Sequence, residues 1–570
     1  MQKMIKQMQL NARITRWFQA LTPKQRAWLP YVALVAAVFA TYANVYQNAF
    51  VLDDWGLIVY NDSLRHWSSL PDLLHKLTIG SFYRPVQVLL YFFVFQAFGL
   101  SLAAFHALNV LLQAANACLM YRLGCRLGFF QRASFAAALL WGVHPLWIQA
   151  VTMMAGTADS LVGFFCMSGL LVLLPDFKPR RFWLASLMFV LALGSKESAI
   201  VFPALAVFTL LLVSRERLKP ATYIRTWPLW LLVIPYIIGL FICPALNSLA
   251  SYAHMDMSYV DAYRDNFVNR TLTSLATLPV YLALIIWPTH LHIGLDFPII
   301  KTLWDWQVIG GIVIVAAALI QIIRGRGKNG LPLSWGLLWF AAALSPHTGI
   351  LKAIDGQLSE HWIYLPTIGL FLGVSQTLVT WMDSLRSKKV PVLGAGLLVL
   401  AMLTMGVKTY LRSEIVHDAG SLYEHIIKYN PTVWARYNLG VYYFSQREYA
   451  KAGEQWQAAE ADDYKDTLNK GGILFMHNSM AYIYLNALSD KDSVNMQDII
   501  HALPSSTHIP EAIEELKASE AIDPHYCCAS LFLSGIYYYL GDKEHGDYYK
   551  DLTEKNAPTN ELKNSLERPQ

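Results

Sequence analysis

The sequence predicts an all-α protein in two parts, a polytopic membrane helical bundle of about eleven spans followed by a soluble α-solenoid of helical repeats. Three observations carry this reading. Of the 570 residues, 55% are hydrophobic and only 15% are charged, whereas a soluble domain carries about a quarter charged residues. The long apolar runs end near Val407. Beyond that point, small and aromatic residues recur at the spacing of paired helices, so two parts meet two solvents. The formal charge of +5 is scattered over short loops, with no basic stripe. Such a distribution sets topology and excludes a nucleic-acid partner.

Residues 1–27 carry Lys3, Lys6, Arg13, Arg16, Lys24 and Arg26 and lack a small-residue cleavage site. They read as a retained, cytoplasmic amphipathic segment. A membrane domain follows over 28–408, because a crossing needs about 20 apolar residues. Its spans are expected at 28–46, 103–122, 133–151, 159–175, 183–195, 198–213, 227–244, 306–324, 333–348, 363–381 and 390–408. Basic clusters at Arg122 to Arg132, Lys178 to Arg181, Arg215 to Arg225, Arg324 to Lys328 and Arg386 to Lys389 then fall on the amino-terminal side, as cytoplasmic loops should. Counting the apolar stretches 87–99 and 271–287 as spans would export two of those clusters. Both are therefore expected to be interfacial or re-entrant helices in outer loops. The six cysteines show no metal-site spacing and read as packing residues.

This topology gathers polar residues at one membrane boundary. The outer loop 47–102 opens with Asp53 and Asp54 and continues through Tyr83-Arg84-Pro85. Paired acids at the edge of a bilayer point to chemistry, and Arg84 is their anion-binding counterpart. The same boundary receives His144, Gln149, Asp159, Lys196, Glu197, Asp296, Glu360, His361 and Tyr364. Singly, His144 before Pro145 and Asp159 also fit helix caps, and Lys196-Glu197 a turn pair. Together they form the ring that a charged headgroup at the outer leaflet requires.

A third region, 415–570, contains Tyr437-Asn438-Leu439-Gly440, then Tyr443, Tyr449, Ala452 and Ala459. That is the spacing of a tetratricopeptide helix pair. A second unit carries Ala481, Tyr482, Ala512 and Ile513, and a third Gly535, Tyr538 and Gly541, with an insertion around Lys491 to Ser506 breaking the period. Three such units are about the minimum that buries a continuous core. Their concave surface suits a peptide partner.

The ordered set Asn48-Ala49-Phe50-Val51-Leu52-Asp53-Asp54, Tyr83-Arg84-Pro85, His106-Ala107-Leu108-Asn109, His144-Pro145, Gly156-Thr157-Ala158-Asp159, Ser195-Lys196-Glu197-Ser198 and Tyr364-Leu365-Pro366 resembles the multi-span GT-C glycosyltransferases. It is most similar to the transmembrane and tetratricopeptide-repeat-containing O-mannosyltransferases and their bacterial relatives. The resemblance implies a polyprenyl-phosphate sugar donor, an acidic first outer loop as the active site, and transfer outside the cytoplasm. The sequence departs from the pattern at Gln149, Thr157 and His361, where relatives tend to carry an acid and two arginines.

On this reading Asp53 or Asp54 takes the proton of the acceptor hydroxyl, and the other orients the acceptor. Arg84, Lys196 and His361 bind the donor phosphate, with His144 assisting. Asp159, Glu197, Asp296, Glu360 and Tyr364 are further site candidates. One displacement with one base inverts the anomeric centre. No metal is required, although Asp53, Asp54 and Asp159 offer carboxylates to a divalent cation. The expected acceptor is a protein Ser or Thr hydroxyl recruited through the repeats. The setting is a bacterial inner membrane with a periplasmic site, or else the endoplasmic reticulum membrane. The competing readings are a transferase acting on a lipid or envelope glycan, and a non-catalytic membrane scaffold with peptide-binding repeats.

Overall fold

The computed structural model describes residues 21–75, 82–174, 179–213, 224–242, 266–461, 470–485 and 503–556, apart from short gaps within these stretches. Asp296, residues 1–20 and most of the insertion around Lys491 lie outside the described residues. Every regular element among them is helical. Contacts divide the chain into a first unit that runs to Leu422 and a second that runs from Tyr423.

In the first unit, six described helices are long and apolar enough to cross a bilayer: Leu102–Arg126, Met154–Leu173, Phe267–Ile286, Trp306–Arg324, Glu360–Ser384 and Leu393–Val416. A bent pair, Gln131–Gly142 and Pro145–Thr152 at 45°, makes a seventh. This is the helix inventory of a multi-pass membrane protein. Several expected crossings are shorter helices, among them Leu331–Leu344 and Trp227–Ile242. The stretch 271–287, expected as an interfacial or re-entrant helix, is helical through Ile286, in the 20-residue helix Phe267–Ile286.

Local chemistry sets the helix ends. Thr22 and Gln25 form a reciprocal capping box ahead of Pro23, Ser101 caps Leu102–Arg126, and Asp305 caps Trp306–Arg324. The irregular stretch Val143 to Gly156 is the exception. It runs through a 3-10 turn at Pro145–Trp147, a π turn at Ile148–Thr152 and a second 3-10 turn at Met154–Gly156. Each break frees backbone groups that an apolar surrounding leaves costly, by several kcal/mol apiece.

A polar stripe on Leu102–Arg126 satisfies them. His106, Asn109, Gln113 and Asn116 recur at three- and four-residue intervals and so share one helix face. All four are buried. The Asn109 amide donates to the Met153 carbonyl at 2.9 Å, Gln113 to Gly142 at 3.1 Å and Asn116 to Ser160 at 2.8 Å. A one-helix periodicity thereby pins a non-helical segment that no periodicity describes.

The second unit contains three helical hairpins among the described residues: Val433–Ser445 with Tyr449–Glu460, Lys470–Tyr484 with Ile509–Ile522, and Cys527–Tyr539 with Lys543–Asn556. Ala452, Ala459, Ala481 and Ala512 are fully buried. A Cβ on Gly440 would lie 2.2 Å from Trp456, so glycine permits that helix pair to close. Of the aromatic residues, Trp456 and Tyr443 pack inside while Trp434, Tyr538 and Tyr539 stay exposed.

Candidate functional site

The twin acids sit in unlike surroundings. Leu52 has φ +51°, a left-handed conformation that costs a bulky L-residue about 1–3 kcal/mol. The turn it forms leaves Asp53 exposed and Asp54 buried. Both carboxylate oxygens of Asp54 accept backbone amides, Oδ2 from Val51 at 3.1 Å and Oδ1 from Ala155 at 2.6 Å. Burial nevertheless pushes Asp54 up to about 7, against the lowering effect of those amides and with the Asp53 charge adding to it. Partial desolvation also raises Asp53, and the Arg84 charge opposes the rise.

The amide that grips Asp54 belongs to the irregular segment. The Gln87 amide donates to the Ala155 carbonyl at 2.9 Å, and the Tyr91 hydroxyl donates to Met154 at 2.6 Å. Gly156 lets two backbones meet, since a Cβ there would fall 2.0 Å from the Gln149 carbonyl. Asn109 of the polar stripe, with Gln87 and Tyr91 of the helix Pro85–Phe98, therefore fixes Met153 to Ala155, which fixes Asp54 and thereby the turn that presents Asp53.

Four more of the sequence-predicted residues join this cluster. Arg84 forms an ion pair with Glu197, Nη2 lying 3.0 and 3.2 Å from the two carboxylate oxygens, and its guanidinium stacks on Phe82 at 4.3 Å. The neighbouring Lys196 ammonium donates to both oxygens of Asp159 at 2.8 and 2.9 Å. Asp53 and Asp159 lie within electrostatic range of Arg84. His361 borders the cluster. Its Nδ1 lies 2.8 Å from both Gln149 Oε1 and Ser359 Oγ.

The remaining described candidates bond outside the two ion pairs, although Tyr364 lies within electrostatic range of Asp159. His144 caps Pro145–Trp147, with Nδ1 accepting from the Leu146 amide at 3.3 Å and Nε2 donating to the Ile285 carbonyl at 3.1 Å. Glu360 pairs with Arg412 at 2.8 Å, both buried. The Tyr364 hydroxyl donates to Gln113 at 2.6 Å and accepts from Asn116 at 2.9 Å. Each sits at a helix boundary because it ties one element to another.

Sequence reasoning missed His347 and Arg412. His347 stacks on Trp362 with centroids 5.4 Å apart and lies within electrostatic range of Lys196, Asp159, Glu197 and His361. Burial, with Lys196 adding to it, pushes His347 down to about 3. The Ser345-Pro346 break after an apolar run was its available signal. Arg412 had none, being one more basic residue at the end of the helix Lys389–Ser413.

The arrangement combines an exposed carboxylate with raised proton affinity, an adjacent guanidinium and a set of paired charges. It can accept a proton beside a cation able to meet departing phosphate.

No family model matches the chain. A Caenorhabditis elegans relative, Protein O-mannosyl-transferase F38B6.6, is 22% identical over 71% of this chain and 59% of its own length. The human Protein O-mannosyl-transferase TMTC4 is 24% identical over 58% of this chain and 52% of its own. The mouse Protein O-mannosyl-transferase TMTC3 is 31% identical over 24% of this chain and 16% of its own. The chain thus spans little more than half the length of the first two. The resemblance carried by the ordered motifs is the one these comparisons find: the chain is similar to the TMTC-type protein O-mannosyltransferases.

Proposed function

We propose that this chain is a membrane glycosyltransferase that moves a sugar from a polyprenyl-phosphate donor to a protein Ser or Thr hydroxyl, with Asp53 as general base. The observation that carries the proposal is the division of labour between the twin acids. Asp54 spends both oxygens on backbone amides, so it holds the turn, while exposed Asp53 meets the acceptor.

The acceptor oxygen attacks the anomeric carbon as Asp53 takes its proton. The bond from that carbon to the phosphate oxygen breaks, and the phosphodiester leaves as a phosphomonoester with one more negative charge. Arg84 stabilises that charge with its planar fork. Its pairing with Glu197 preorganises the guanidinium, and Lys196 with Asp159 sets the neighbouring field. Burial holds His361 neutral, so it hydrogen-bonds the sugar more than it binds the phosphate. The proposal calls for no metal: Asp159 gives both oxygens to Lys196 and Asp54 gives both to amides, and the chelator arm below tests this.

The printed names of the relatives make mannose the first sugar to try. Compact loops and few repeats favour a bacterial inner membrane, with site and repeats facing the periplasm and the repeats recruiting the acceptor protein. The test is transfer from polyprenyl-phosphate mannose to a Ser/Thr-rich peptide by the detergent-purified full chain, with and without a chelator. Transfer that survives the chelator and is lost in Asp53→Asn supports the proposal. Full activity in that variant overturns the base assignment, and a retained anomeric configuration by NMR overturns single displacement.

A further inference from the structure

The second unit holds a cluster that transfer chemistry leaves unused. Glu460 ends one helix, His477 lies within Lys470–Tyr484, and Glu515 lies within Ile509–Ile522. One ligand atom from each falls within 4.8 Å of the other two. His477 Nδ1 lies 3.2 Å from Glu460 Oε1 and 2.6 Å from Glu515 Oε2. The side chains are only 3%, 24% and 12% exposed, so this is no solvated acidic surface.

We propose that Glu460, His477 and Glu515 bind a zinc ion that clamps three helices of the second unit together. Donor type and spacing both fit. Imidazole nitrogen and carboxylate oxygen bind Zn²⁺ at about 2.0–2.2 Å, so ligands around one tetrahedral ion stand about 3.4 Å apart. The 3.2 Å separation matches this, and the 2.6 Å contact opens by less than about 1 Å when a metal replaces the shared proton. Charge argues the same way. Two sheltered carboxylates face one imidazole, which leaves the site negative even when that ring is protonated, and Glu514 adds to the field. A divalent ion supplies the missing charge and displaces the proton. His477 and Glu515 lie 38 residues apart, so the ion closes a long chain segment, where a cross-link restricts the unfolded ensemble most. Three protein ligands leave the fourth position to water, and the site is independent of the proposed transferase activity.

The test uses the untagged full chain in detergent, stripped with a chelator, desalted and titrated with zinc chloride by calorimetry, with metal content measured after a second desalting. One retained equivalent and a zinc-dependent rise in Tm support the site. Glu515→Gln keeps an acceptor for His477 while removing a charged ligand, and His477→Ala removes the nitrogen. Each should weaken zinc binding at least tenfold, and Co²⁺ substitution in the wild-type chain should give ligand-field absorption that Glu515→Gln lacks. Should His477→Ala fail to fold, Glu515→Gln decides. Failure of wild-type chain to retain stoichiometric zinc, or unaltered affinity in Glu515→Gln, overturns the proposal and leaves a proton-bridged histidine between two glutamates.

Discussion

The charged cluster of Asp53, Arg84, Asp159, Lys196 and Glu197 and the polar stripe of His106, Asn109, Gln113 and Asn116 are both built from polar side chains at helix edges and faces. They differ in what satisfies them. The stripe consists of groups bonded to main-chain carbonyls, with bonds near 3 Å to Met153, Gly142 and Ser160. Those donors are spent on the protein's own backbone. The cluster consists of ions held against one another, and its Asp53 faces solvent. A buried donor bonded to main chain acts as scaffold, whereas an exposed ion in a preorganised field is available for chemistry.

The sharpest way to break this comparison is Asp53→Asn. We expect transfer to fall about 100- to 10,000-fold with the thermal transition unchanged, because the side chain is exposed. A comparable loss of stability would show that Asp53 belongs with the scaffold. The next effect is Arg412→Ala, which removes the buried guanidinium paired with Glu360. It should destabilise the fold by about 3–5 kcal/mol, read as a lower Tm in detergent, with activity per folded molecule preserved. Arg84→Lys keeps a charge but loses the fork, so kcat should drop about 100-fold while far-UV circular dichroism stays native.

Two smaller effects sharpen the boundary. Asn116→Leu strips partners from the Ser160 carbonyl and the Tyr364 hydroxyl, at a cost of about 1–3 kcal/mol, and should leave the kcat of the folded fraction alone. Asp54 supplies a pH signature. Its folded pKa of about 7 lies above the ordinary value of 3.8, so between those values the folded state binds more protons than the unfolded. Its contribution to stability is then complete below about pH 4 and declines as pH rises through 7, by at most about 1.4 kcal/mol per pH unit. Asp54→Asn should flatten that slope in urea titrations at pH 5 and pH 8. An unchanged slope would mean that Asp54 is ionised throughout.

Much of this was legible in the chain itself. Asp53-Asp54, Arg84 and Lys196-Glu197 stood out because charge beside apolar runs is expensive. His144 and Tyr364 stood out for the same reason, yet they bind backbone and neighbouring amides. Adjacency to a membrane boundary marks a polar residue as necessary without saying whether structure or reaction needs it. His347 escaped notice because its importance comes from stacking on Trp362 and from charges on other helices.

The sequence alone determined the all-α class, the apolar and soluble parts, and the presence of twin acids in the first loop. These follow from composition and periodicity, which act over a few residues. Only the tertiary structure decided that Asp54 turns inward and Asp53 outward, and that Arg84 meets Glu197 across 113 positions. Those outcomes depend on which backbone amides and opposite charges arrive within 3 Å once helices pack. Separation along the chain carries no record of that distance.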